Sequence, residues 1–463
     1  IGCISSSYID SLLGKKIAMN AVMHTTLTSL LLFFLSTTYA YAQTDTLLGI
    51  YALAKKNDYQ LQSEYAEYLA AREAAAINRA TLRPQITGTA QLDKTNTDTT
   101  GTLNSERDTD TQSYSVSLTQ QLINFNAWNA YKQGKVETHI AEVTYAANEQ
   151  SLIIRSAEAY FDTLRAVDQL QTDIAEEKAQ ATLLEQTRQR YEVGLISIND
   201  VHETQAAYDN AVANRINTEA SVGIQLDSLS VLTGKRHTAI APLKEGFSVT
   251  SPEPNNQQAW VDFALSNNLA LKASELTADA SILASKTVKS DHLPTVSGTI
   301  SYSDSRADND IVGSSSTTSN DGSTTFRLNL TVPLYSGGRL SALERQAAQT
   351  AVAAKDNFHF TQRNTIQNTR SLFLSVTTHI AQIKARKQAI VSNESALEAT
   401  KAGYNAGTRD IVDVVNAQSN LFQAQRDYLN NLYEYIITTL QLKEAAGNLQ
   451  LSDLEHLEAS LES

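Results

Sequence analysis

The chain repeats itself, and a repeat this long restricts the fold to two copies of one unit. Residues 82–92 read LRPQITGTAQL and residues 292–302 read HLPTVSGTISY, placing Pro84 on Pro294. Further on, YEVGLISINDV from Tyr191 matches YNAGTRDIVDV from Tyr404. There Tyr191, Gly194, Ile198, Asp200 and Val201 fall on Tyr404, Gly407, Ile411, Asp413 and Val414. Gln205 then falls on Gln418, and Gly234 on Gly447. Chance similarity between two helical segments would not also align a proline and three glycines.

Each copy reads as the same series of elements. A helix (46–80 and 257–290) leads to a Pro-marked strand, then a polar Ser/Thr/Asp/Gly loop (98–112 and 305–323) and a second strand. A very long helix follows (126–192 and 339–405), then a tight turn at Gly194 or Gly407, then another helix (200–233 and 411–446). The copies span 43–240 and 257–463. The stretch 241–256, holding Pro242, Pro252 and Pro254, reads as the linker between them. The fold class expected is α+β.

The first 42 residues read as a targeting segment. Lys15 and Lys16, or the stretch from Met19 to His24, supply a polar start, and Leu27–Leu35 an apolar core. Ala40-Tyr41-Ala42 fits the small-x-small cleavage pattern, so the cut is expected between Ala42 and Gln43. A membrane anchor needs about 20 apolar residues, and this run has roughly half that. The chain opens on Ile1, and Met19 or Met23 is the expected start. Cys3 is the one cysteine of the sequence and lies before the cut. The mature chain is therefore expected to lack disulfides, thiolate metal sites, a cysteine nucleophile and a lipid-anchoring cysteine. Cleavage removes Lys15, Lys16 and Asp10, leaving 35 basic and 49 acidic residues, a net charge of 35 − 49 = −14. No basic footprint for nucleic acid is present.

The strands alternate. Phe326, Leu328, Leu330 and Val332 interleave with Thr325, Arg327, Asn329 and Thr331, and Tyr114, Val116 and Leu118 with Ser113, Ser115, Ser117 and Thr119. Val296, Ile300 and Tyr302, and more weakly Ile86, Ala90 and Leu92, do the same. Any half-buried sheet shows period two. Here the polar face is almost all Ser, Thr, Asn and Gln, the pattern of a sheet with one lipid face and one wet lumen. Strands of about 10–13 residues span a tilted bilayer crossing. A membrane forces such a sheet to close. Four strands cannot enclose an open lumen, since about eight only just fill their own interior. Several chains must contribute, and three would give twelve strands.

The long helices, at about 1.5 Å per residue, reach roughly 100 Å. No compact domain needs that length, whereas a tube across the periplasm does. In the last helix two adjacent columns recur every seven residues: Val414, Leu421, Tyr428, Tyr435, Leu442, and Val415, Phe422, Leu429, Ile436. A double heptad stripe lets one helix contact partners on both sides, although one column alone would suit a two-helix coiled coil. No catalytic motif is present and the eight histidines have no metal-ligand spacing, so neither an enzyme, a metal site nor a cofactor is expected.

Together the signal segment, the duplicated plan and the motif Tyr404-x-x-Gly407-Thr408-Arg409-x-Ile411-Val412-Asp413-Val414 resemble the TolC family of outer-membrane efflux proteins. Ala159-Tyr160-Phe161, Tyr191-x-Val193-Gly194-Leu195 and His292-Leu293-Pro294 belong to the same pattern, and the missing cysteine sets the chain apart from the lipid-anchored relatives. The resemblance implies a homotrimer with a 12-stranded outer-membrane β-barrel continuous with a periplasmic α-helical barrel. It implies docking to a periplasmic adaptor and an inner-membrane pump of the RND, ABC or major-facilitator type, for drug efflux or type I protein secretion. It implies a closed entrance with linking residues at Asp200, Tyr404 and Arg409 and an acidic ring at Asp413. The second ring position is Asn416, which halves the expected carboxylates from six to three. Without the family, Asp200 and Asp413 read equally well as first-turn acids capping helix N-termini. A trimeric coiled-coil stalk and a general diffusion porin are the alternative readings. The first does not need strand pairs twice at matching places, and the second does not need helices of this length.

Overall fold

The structure is a computed structural model and describes residues 45–100, 105–244, 246–312 and 314–462. The expected signal segment, with Ala42 and Gln43, lies outside the described residues. The first half runs α1 (Leu47–Asn57), α2 (Tyr59–Ala71), α3 (Ala74–Ala80), β1 (Gln85–Thr99), β2 (Ser105–Ile123), α4 (Phe125–Glu192) and α5 (Ile198–Thr233). The second half runs α6 (Gln257–Asn267), α7 (Leu269–Lys289), a 3-10 turn (Ser290–His292), β3 (Thr295–Ile311), β4 (Thr317–Thr331), α8 (Arg339–Asn405) and α9 (Ile411–Ala445). A short α10 (Leu451–Glu458) follows, which the sequence reading did not foresee.

The leading helix of each copy is broken, and in both copies by the same chemistry. The Asp58 carboxylate accepts from the N–H groups of Gln60 and Leu61, while its own N–H closes α1 on Ala54. Asn268 accepts from Leu271, and its N–H closes α6 on Ala264. One short polar side chain thus ends a helix and caps the next. The strands are also longer than expected, at 15 to 19 residues, because polar stretches read as loops are strand. Their hydroxyls and carboxamides bond across the ladder: Thr109 to Asn309 at 2.9 Å, Ser303 to Ser323 at 2.9 Å and Thr318 to Asp308 at 2.6 Å. Such cross-strand pairs stabilise a sheet without an apolar contact.

The four strands form one antiparallel sheet in the order β1-β2-β3-β4, so β2 and β3 join the two halves. The register places Ile86 opposite Leu118, Leu118 opposite Ile300 and Ile300 opposite Phe326, which collects the apolar side chains on one face. Among the described residues nothing covers that face: Phe326 is 76% exposed and Leu92 equally so. A bulge at the end of β2 sets Ile123 opposite Val296 just before α4 begins. Among the described residues neither β1 nor β4 has a partner on its outer edge.

The largest core lies where α4 and α9 pass each other. Tyr160, Phe161 and Tyr433 are fully buried there, packed with Leu47 and Ile50 of α1 and Leu454 of α10. Truncating an aromatic in such a core costs about 3–5 kcal/mol. The proline-bearing stretch after α5 is tied down at this level rather than free. Ala241 O accepts from Tyr160 Oη at 2.6 Å, Leu243 bridges to Leu461, and Thr250 exchanges hydrogen bonds with Tyr435 Oη at 2.8 and 3.1 Å.

Candidate functional site: the two hairpin tips

The α4–α5 and α8–α9 hairpins end in turns of the same construction. Gly194 has φ +76° and Gly407 φ +74°, a conformation that a side chain strains. Each turn closes by a long backbone bond, Leu195 N–H to Arg190 O at 2.9 Å and Thr408 N–H to Gly403 O at 2.9 Å. The caps that follow differ. In the first tip Ser197 Oγ accepts from Asn199 N–H, and the Asp200 carboxylate accepts from Ser197 N–H at 3.2 Å. In the second, Asp410 accepts from Asp413 N–H at 2.9 Å, leaving the Asp413 carboxylate available. Arg409 Nη1 reaches that carboxylate at 3.4 Å. Its side chain folds back over Gly403, where a Cβ would stand 2.8 Å from Arg409 Cγ.

The surfaces of the tips differ too. Val193 and Leu195 project from the first, both about as exposed as the membrane face, whereas the second presents Arg409, Asp410 and Asp413. Asn416 is exposed one helical turn beyond Asp413.

Of the four residues assigned to the entrance, the structure pairs Arg409 with Asp413 within one tip. Among the described residues it does not join Asp200 to Tyr404 or Arg409 within the chain; one Asp200 oxygen accepts in its own cap and the other is left available. Tyr404 has a different neighbour. The Arg190 guanidinium lies 4.9 Å from the centre of its ring, and Arg190 Nη2 donates to Asn405 Oδ1 at 2.7 Å. An arginine at the end of the first hairpin therefore grips the end of the second. The Tyr404 hydroxyl is enclosed without a hydrogen-bond partner, beside a cavity of about 100 Å³ that Leu183, Thr187, Lys401 and Val414 also line. Arg190 was missed from sequence, yet the signal was there. In the repeat alignment it falls on Gly403, a cation in one copy against no side chain in the other.

Above the tips, an apolar cluster of Leu183, Leu397, Ile411, Val414 and Leu421 joins the two hairpins. Above that, the contact between α4 and α9 becomes polar. Arg426 Nη1 bonds Asp173 at 2.9 Å and Glu176 at 2.6 Å, and Thr218 of α5 donates to Asp173 at 2.5 Å. Next come Tyr433 Oη to Asp168 at 2.5 Å, Arg165 to Glu434 at 3.0 Å, and Gln441 to Glu158 at 2.8 Å. Burial holds the Asp168 carboxyl above its ordinary range, against the opposing pull of the Tyr433 hydroxyl. Burial and then the Asp168 charge push the Tyr433 phenol far up. Burial, with the nearby Glu158 charge, also raises Glu444. The two ends of this seam differ in strength. An exposed pair such as Arg409–Asp413 is worth about 0–1 kcal/mol. Removing one partner from a buried pair such as Arg426–Asp173 costs about 3–5 kcal/mol.

The chain matches the model of the family described as "Outer membrane efflux protein" over residues 50–235 and again over 260–448. It is 35% identical over 421 residues to outer membrane protein TolC of Vibrio cholerae serotype O1, covering 90% of this chain and 94% of that protein. It is 28% identical over 434 residues to the alkaline protease secretion protein AprF of Pseudomonas aeruginosa, covering 90% of this chain and 87% of that one. Among solved structures, the outer membrane protein VceC of Vibrio cholerae superposes with a TM-score of 0.73 at 18% identity, over 87% of this chain and 96% of that one. The uncovered apolar sheet and the two long hairpins are the α+β channel fold of these proteins. The chain belongs to the outer membrane efflux protein family, a family of TolC-like ducts rather than enzymes, and resides in the outer membrane of a Gram-negative bacterium.

Proposed function

We propose that three copies of the chain close one barrel of twelve strands and continue below it as a helical tube. The observation that carries this reading is the sheet, whose two 15-residue outer strands lack partners among the described residues although its apolar face suits lipid. Hydrocarbon does not tolerate open edges, so β4 of each copy pairs with β1 of the next until the ring closes. Four strands are too few for a lumen and twelve suffice.

In this reading the chain is a passive exit duct for efflux or for type I protein secretion. The two units, 43–240 and 257–463, joined by 241–256, build the wall, and cleavage after Ala42 frees Gln43 as the mature N-terminus. The hairpin tips, six per trimer, form the lower mouth, and a periplasmic adaptor seats on them to connect an RND, ABC or major-facilitator pump. The second tip is the gate. Asp413 supplies three carboxylates at the mouth, and Asn416 leaves the second ring uncharged. Arg190 clasps Tyr404 and Asn405 within each chain, while Arg409, Asp200 and Tyr404 are the residues available for links between neighbouring hairpins. These contacts are individually weak, which suits a gate opened by partner contact without energy from this chain.

Single-particle electron microscopy of detergent-purified protein, with recordings in planar bilayers, tests the reading. A threefold tube with a small resting conductance is expected. Particles without a long helical stalk, or a large constitutive conductance, would return the chain to the stalk or porin alternatives.

A further inference from the structure

We infer that the buried Arg426–Asp173–Glu176 clamp is the fulcrum of the gate: the α8–α9 hairpin swings away from α4 below it and stays joined above it. The inference rests on reading the second tip as the gate. Its own basis is the change in character along the line between α4 and α9.

At and above the clamp that line carries four polar links, set among the apolar core. Arg426 takes both carboxylates, Tyr433 takes Asp168, Arg165 takes Glu434, and Gln441 takes Glu158. The clamp is also anchored sideways, because Asp173 accepts from Thr218 of α5 through its other oxygen. Asp173 is 3% exposed and Glu176 6% exposed, so neither can exchange Arg426 for water without strong desolvation cost. Below the clamp no hydrogen bond or ion pair links α4 to α9 among the described residues. What remains is Leu183 against the apolar cluster and the Arg190 clasp to α8. A force that separates the hairpins breaks the weaker contacts first and stops at the clamp.

Geometry then sets the size of the opening. Arg426 stands about 22 Å along α9 from Ile411, so a bend of about 10° there carries the tip roughly 4 Å. Were the clamp absent, the next stop would be Tyr433, lengthening the arm to about 33 Å. For the same bend the mouth then widens about one and a half times, and an aperture-limited conductance rises about twofold.

The test uses the full trimer opened by Arg409→Ala with Asp200→Asn, carrying cysteine pairs joined by a short, cleavable bis-methanethiosulfonate linker. Arg190→Cys with Asn405→Cys spans the region below the clamp, and Arg165→Cys with Glu434→Cys spans it above. Linking the lower pair is expected to restore the closed conductance, reversibly with reductant, and linking the upper pair to leave the open conductance unchanged. An upper link that also closes the channel overturns the fulcrum and leaves the gate reading intact. A lower link without effect overturns the gate reading itself. A second arm replaces the clamp by neutral isosteres, Asp173→Asn, Glu176→Gln and Arg426→Gln together, so that no buried charge is stranded. In trimers of wild-type thermal stability this triple change is expected to raise the open conductance about twofold, and an unchanged value refutes the fulcrum.

Discussion

Replacing Arg190 with alanine removes two contacts at once from each chain, the 2.7 Å bond to Asn405 and the guanidinium over the Tyr404 ring. Arg190 is half-buried. A charge-assisted bond in that setting contributes about 1 kcal/mol after discount for water, and an exposed cation–π contact about 0.5–1 kcal/mol. Their loss, about 1.5–2 kcal/mol, shifts the closed-to-open ratio of one hairpin roughly 10- to 30-fold, since about 1.4 kcal/mol is a factor of ten. If the three hairpins of a trimer open together, the losses add to about 5 kcal/mol and the ratio moves by roughly three to four orders of magnitude. Single-channel recording in planar bilayers reads this directly as open probability, with size-exclusion chromatography confirming the trimer. Arg190→Lys keeps the charge, loses the planar stacking, and is expected to fall between wild type and alanine. An intact Arg190→Ala trimer with wild-type open probability would refute the clasp. Full rescue by lysine would show that charge alone holds the tip.

Other outcomes follow from the same geometry. Arg409→Ala is expected to open the channel less than Arg190→Ala where Arg409 acts only through its exposed bond to Asp413. A larger effect in conductance recordings would show that Arg409 also links to a neighbouring chain. Asp168→Asn removes a carboxylate held above its ordinary range by burial. A raised folded pKa means that the native state binds the proton more tightly, so this group disfavours folding above that pKa and the penalty disappears as pH falls through it. The variant should therefore melt at or above the wild-type temperature at pH 7.5 and show a flatter pH dependence over the acidic range; a lower melting temperature refutes this. On the barrel, Leu328→Arg on the lipid face should cost about 2–4 kcal/mol and reduce the assembled trimer in the membrane fraction. Asn329→Asp on the opposite face should leave assembly unchanged and alter only ion selectivity, which reversal-potential measurements detect.

What could be read from sequence follows the range of the forces involved. Heptad columns and strand alternation are local, and the observed α9 and sheet lie close to the segments read from them. The breaks at Asp58 and Asn268 were visible as good capping residues, but long helical periodicity on both sides hid them. The strand ends were misjudged because Ser, Thr and Asp are turn formers in isolation. Only the register shows that Thr318 faces Asp308 and Thr109 faces Asn309. At the tips, Gly194 and Gly407 announced the turns, whereas Arg190 on Tyr404 joins residues from different copies across the hairpin pair. The Arg426 clamp was equally hidden, since Asp173 and Arg426 are about 250 residues apart and neither lies in a repeated motif. Duplication reveals what the copies share, and these contacts depend on where they differ.

The bare edges of β1 and β4 bear on how the protein is made as well as on its final form. If three copies close the barrel, as proposed, a lone chain emerging into the periplasm holds one third of it, with two strands open to any matching backbone and an oily face beside them. Such a chain can neither enter the membrane by itself nor wait safely in water. On that reading insertion is coupled to meeting two sister chains, and its rate should rise much faster than in proportion to the supply of newly exported subunits. At low expression the slow step is encounter. At high expression it is competition between the correct ring and open-ended stacks of the same edges. A holding factor that covers a strand edge until the third copy arrives would ease both.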